Sequence, residues 1–125
     1  MARILVAEDE AALRGQILRA LTAGGHDAVA AADGGEALEA LIRDHGRFDL
    51  LLADIKMPVM DGIALALAAA RDYPELVILL MTGFADQRER AFGLEALIQG
   101  VLTKPFSVPD LQRAIAEAMA AKRRG

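Results

Sequence analysis

Four short apolar runs each end in a polar residue, and this repeated arrangement sharply limits what the chain can fold into. Ile4-Leu5-Val6-Ala7 runs into Glu8 and Asp9, and Leu50-Leu51-Leu52-Ala53 runs into Asp54. Val77 to Met81 is followed by Thr82, and Val101-Leu102-Thr103 by Lys104 and Pro105. Runs this short, bounded by polar residues, read as buried strands. Open α/β sheets place their ligand sites at the carboxyl ends of such strands. If the four runs share one parallel sheet, their polar ends meet at one place.

The segments between the runs carry helical periodicity. A helix is expected from about Ala11 to Ala23, with Leu13, Ile17 and Leu21 recurring every four residues and Gly24-Gly25 ending it. Asp27 to Ala31 reads as a weak second strand. Asp33-Gly34-Gly35-Glu36 has the spacing of a helix start, and the helix should run to about Asp44 with Ala37, Leu38, Leu41 and Ile42 inward. Asp61-Gly62 opens a third helix, with Ile63, Ala66, Leu67 and Ala70 as its expected buried face and Tyr73-Pro74 as its stop. Asp86 to Leu94 reads as a fourth helix that Gly93 weakens. Ser107-Val108-Pro109-Asp110 starts a last helix, reaching about Lys122. Strands at Arg3–Ala7, Asp27–Ala31, Leu50–Ala53, Val77–Met81 and Gly100–Thr103 complete five β-α units. This order predicts a doubly wound, five-stranded parallel α/β sheet with right-handed crossovers.

The 125 residues suit one domain spanning 1–125. Alanine supplies 26 of them, so the helices should pack closely. The absence of cysteine excludes disulfides and thiolate metal sites. A net charge of −4 argues against a nucleic-acid partner. No apolar run approaches the roughly 20 residues of a membrane span, and the start shows no signal-peptide pattern, so a cytoplasmic location is expected. Lys122-Arg123-Arg124 matches the charge preference of a helix end.

Glu8, Asp9 and Asp54 brought to one point would repel each other and raise each other's pKa. A hard divalent cation resolves that conflict, and Mg2+ takes such oxygen ligands while keeping several waters. Lys104 adds a compact positive charge and Thr82 a hydroxyl donor. Together these groups can stabilise charge on a phosphoryl group in flight, with Asp54 as its nucleophilic acceptor. Singly, each feature is an ordinary helix cap, turn or loop; their joint placement after four strands carries the reading.

At this point the chain resembles the receiver domains of two-component response regulators, the CheY-like superfamily. The residues that carry the likeness are Glu8-Asp9, Asp54, Met57-Pro58 with Asp61-Gly62, Thr82-Gly83 and Lys104-Pro105-Phe106. The resemblance implies a strand order 2-1-3-4-5 and phosphorylation of Asp54 by a histidine kinase or histidine phosphotransfer protein. It implies that Asp9 ligates Mg2+ directly, Glu8 through water or by orientation, and Lys56 through its backbone carbonyl. Lys104 would contact the phosphoryl group, Thr82 would move toward it, and Lys104-Pro105 would be a cis bond. It also implies output by protein–protein binding, through the face made by the Asp86–Leu94 segment, the fifth strand and the last helix. The expected role is signalling rather than turnover of a substrate.

Val101 departs from the family pattern, since receivers usually carry Tyr or Phe at this position as a rotameric switch. Phe84 is expected near the mouth of the site, either slowing loss of the phosphoryl group or anchoring the following helix. Val101, the stretch Thr82-Gly83-Phe84-Ala85 and the lack of a following effector resemble the CpdR-type single-domain receivers of alphaproteobacterial cell-cycle control. In that subfamily the unphosphorylated form primes the ClpXP protease. Three rival readings are a phosphotransferase enzyme, a flavodoxin-like cofactor binder and a degenerate receiver acting as a constitutive binding module. Lys56 stands where the first would want an acid–base Asp. Acidic residues replace the phosphate loop of the second, and all five site residues of an active receiver are present.

Overall fold

The computed structural model describes residues 2–83, 89–91 and 93–124. Five strands, β1 (Arg3–Ala7), β2 (Asp27–Ala31), β3 (Leu50–Asp54), β4 (Val77–Thr82) and β5 (Gly100–Thr103), form one sheet. All pairs are parallel and the order is β2-β1-β3-β4-β5. Four helices lie among the described residues: α1 (Ala11–Ala23), α2 (Gly34–Arg43), α3 (Gly62–Asp72) and α4 (Val108–Arg124). Of the helix expected over Asp86 to Leu94, Asp86, Gln87, Arg88 and Phe92 lie outside the described residues, as does Phe84. Gly93, which is described, has φ 91, a left-handed conformation that no α-helix passes through.

Alternate strand residues feed two cores, as the period of two requires. Ile4, Val6, Leu50, Leu52 and Leu79 pack with Ile17 and Leu21 of α1 and Leu111 and Ile115 of α4. Leu5, Leu51, Ile78 and Leu80 pack with Ala37 and Leu41 of α2 and Leu65 and Ala69 of α3. With both faces covered, β1, β3 and β4 are apolar almost throughout.

The helix starts are built as their sequences suggest. Asp33 accepts from the Glu36 amide at 2.8 Å and Asp61 from the Ala64 amide at 2.9 Å. Ser107 Oγ accepts from the Asp110 amide at 3.1 Å, and the Ser107 amide donates back to Asp110 Oδ2 at 3.4 Å, closing a reciprocal cap. Ser107→Ala is therefore expected to cost about 1 kcal/mol in thermal or urea unfolding. An unchanged midpoint would show that the cap contributes nothing.

Two helix faces differ from the sequence expectation. Ile42 is exposed, and so is Leu67, whereas α3 buries Leu65, Ala66 and Ala69. Nearly every position of α3 is apolar, so its periodicity does not select a face. Its rotation is set instead by Gly62, which rests on the end of β3.

Candidate functional site

The carboxyl ends of the strands bring Glu8, Asp9, Asp54 and Lys104 to one cavity of about 570 Å³, lined also by Lys56 and Pro58; Thr82 is not among its lining residues. Glu8, Asp54 and Thr82 are the buried polar residues among the described residues, at 1%, 6% and 1% exposure. Each directly follows or ends an apolar strand, so the sheet itself carries it inward. Asp9 is exposed at the rim.

Lys104 joins the acids. Its Nζ donates to Glu8 Oε1 at 2.7 Å and to Asp54 Oδ2 at 3.0 Å. The Lys104 amide donates to the Thr82 carbonyl at 2.8 Å, which fixes the start of this residue beside β4. The Lys104-Pro105 bond is cis. Burial pushes the Glu8 carboxyl above its usual range, against the Lys104 and Glu10 hydrogen bonds that favour its ionised form; the charge of Asp54 adds to the rise. Burial opposes the charged form of Lys104, but its bonds to Glu8 and Asp54 outweigh this and hold its pKa above the ordinary value. The site therefore keeps a charged lysine between two acids.

The donor set fits a hard cation. One carboxylate oxygen from each of Glu8, Asp9 and Asp54 lies within 4.8 Å of the others. Oxygens sharing one Mg2+ at about 2.1 Å lie within about 4.2 Å of each other, so small side-chain rotations suffice. Lys56 lines the same cavity.

The support under Asp54 is backbone on backbone. The Gly62 amide donates to the Ile55 carbonyl at 2.7 Å. A Cβ on Gly62 would collide with the Asp54 carbonyl group and the Ile55 Cα. Gly62→Ala is expected to cost ~1–3 kcal/mol, because the start of α3 must shift off the acceptor strand. Calorimetric melting checks this, and a variant as stable as the wild type would contradict the close packing.

Three features of the site carry no clear sequence signal. Arg14 Nη1 donates to the Glu8 carbonyl at 2.8 Å and to the Asp9 carbonyl at 3.5 Å, holding the loop that presents both acids. Val59 has φ 70 and is 85% exposed, while the Met60 amide donates across it to the Pro58 carbonyl at 2.8 Å. This is a γ-turn of the rare left-handed kind, made without the Gly or Asn that would announce it. Arg90 Nη2 donates to Asp61 Oδ2 at 2.7 Å, joining the segment after β4 to the start of α3. An arginine in a polar, charged stretch looks like any solvated residue.

No helix among the described residues is long and apolar enough to cross a membrane. Known proteins share this architecture. The chain is 38% identical to the response regulator receiver protein CpdR of Brucella abortus over 121 residues, covering 97% of this chain and 99% of that protein. It is 37% identical to the response regulator MprA of Mycobacterium leprae, covering 87% of this chain and 47% of MprA, so it spans about half the length of that relative. The crystal structure of TrrA from Thermotoga maritima, in complex with Mg(2+)-BeF, matches with a TM-score of 0.83 at 27% identity. That match covers 94% of this chain and 99% of TrrA. The response regulator receiver domain model matches residues 4–116, and with the fold and the acidic cavity already described, the chain belongs to the response regulator receiver family.

Proposed function

We propose that Asp54 accepts a phosphoryl group from a histidine kinase or histidine phosphotransfer protein, and that the chain signals by phosphorylation-dependent protein binding. The observation that carries this is Lys104 bonded at once to Glu8 and Asp54 in an open acidic cavity. An Asp54 carboxylate oxygen attacks the phosphorus of a phosphohistidine; the P–O bond forms as the P–N bond breaks and the imidazole leaves. Lys104, already charged and in contact, then pairs with a phosphoryl oxygen, and Thr82 at the end of the next strand donates its hydroxyl to another. Glu8, Asp9, Asp54 and the Lys56 carbonyl would hold Mg2+, which supplies positive charge that offsets the acids and the incoming phosphoryl group. The protein turns over no other substrate in this reading.

Output requires two conformations between which the phosphoryl group discriminates. We place the responsive surface on the segment after β4, on β5 and on α4. Val101 is only half-buried against the core that holds Leu80 and Ile98, and it offers no aromatic ring to swing. The CpdR-like output, control of regulated proteolysis, is carried over from the likeness to Brucella CpdR at 38% identity. Amide-exchange NMR with and without beryllofluoride and Mg2+ tests the reading. The largest changes should fall between Gly83 and Phe106; changes confined to α1 and α2 would overturn the assigned surface.

A further inference from the structure

The loop behind the acceptor and the segment behind Thr82 are joined by one ion pair. Arg90 Nη2 lies 2.7 Å from Asp61 Oδ2. Among the described residues it is the single ion pair tying 89–99 to the rest of the molecule. Its two ends differ in freedom. Asp61 caps α3 through the Ala64 amide, and its neighbour Gly62 is wedged against the Asp54 backbone, so this end moves with the acceptor strand. Arg90 stands on the segment that follows Thr82 and precedes the left-handed Gly93, where regular structure breaks. Burial opposes the ionised form of Asp61, but the Ala64 amide and Arg90 outweigh it and lower its pKa, so the pair is charged on both sides at neutral pH.

We propose that the Arg90–Asp61 pair is a latch on the unphosphorylated arrangement, holding the segment after β4 to the start of α3 and so setting how readily the site accepts a phosphoryl group. The inference rests on the receiver reading of Asp54 and adds its regulation. The closed pair coexists with the Lys104–Asp54 bond, the contact that the phosphoryl group would take over in the proposed reaction. If Thr82 moves to meet the phosphoryl group, the segment behind it must follow, and a bond to a fixed point opposes that movement. Binding energy then goes into opening the pair, and apparent affinity falls by the same factor. Side-chain exposures of 50% for Arg90 and 32% for Asp61 keep this factor modest. Measured strengths of such pairs correspond to at most about a fivefold change.

The test is a beryllofluoride titration in saturating Mg2+, followed by NMR, on the wild type, Arg90→Gln, Asp61→Asn and the double variant. Asn retains the helix cap, so Asp61→Asn removes the charge without removing the start of α3. Each single variant should bind beryllofluoride about two- to fivefold more tightly. The double variant should bind no more tightly than either single one, because both remove the same bond. Unchanged or weaker binding in the single variants, or additive gains in the double, overturns the latch. A wild type that binds no beryllofluoride removes the receiver reading and the latch with it, whereas a wild type that binds with the variants unchanged removes the latch alone.

Discussion

Lys104→Ala is expected to destabilise the metal-free protein by about 2–3 kcal/mol and to abolish its response to phosphorylation. Removing one partner of a buried ion pair costs ~3–5 kcal/mol, since the other charge is left uncompensated. Lys104 keeps 20% side-chain exposure, whereas Glu8 and Asp54 have 1% and 9%, so water reaches only one side of the gap and the cost falls somewhat below that range. Glu8 provides the other relief. Its pKa is already raised, and loss of the lysine must raise it further, so the folded variant holds a proton there that the unfolded chain releases. A group with a raised folded pKa favours the native state when protonated, so the deficit should grow as pH rises from the ordinary carboxylate range through the folded value, and shrink toward acid. Mg2+ supplies the missing positive charge and should stabilise the variant more than it stabilises the wild type. Melting curves across pH, with Mg2+ and with chelator, check all three statements. A variant that is stable without metal at neutral pH would remove Lys104 from the first role, and one that still responds to phosphorylation would remove it from the second.

Much of the frame was legible because its signals are local. The strands β1, β3 and β4 announce themselves as apolar runs closed by a charge or a hydroxyl, and three helix starts by Asp or Ser caps. The meeting of Glu8, Asp9, Asp54 and Lys104 was legible for the same reason: a polar residue at the end of a buried parallel strand has one place to go. What the sequence hid depends on contacts rather than runs. In α3, alanine at five positions leaves the hydrophobic stripe undefined, so Leu67 was expected inward where Leu65 is. In α2, Ile42 looked like a continuation of the Leu38 stripe but lies on the solvent side. Arg14, Val59 and Arg90 matter through partners distant in the chain or through a backbone angle, and neither leaves a pattern in composition or spacing. The departure at Val101 was legible as a substitution, but its surroundings depend on β5 being an edge strand beside the segment after β4.

The central claim is that Asp54 takes up a phosphoryl group with the help of the acids and Lys104 around it. Asp54→Asn keeps the shape of the side chain but removes the nucleophilic charge, so labelling should fall to background while the fold persists. Asn also leaves Glu8 as the sole acid paired with Lys104, so the variant should melt at or above the wild-type temperature. The direct measurement is intact mass after incubation with a small acyl phosphate, with Mg2+ and with chelator, for the wild type and Asp54→Asn in parallel. The account predicts one added phosphoryl group on the wild type in Mg2+, none with chelator and none on the variant. Labelling of Asp54→Asn at the wild-type rate, or wild-type labelling indifferent to Mg2+, would contradict it.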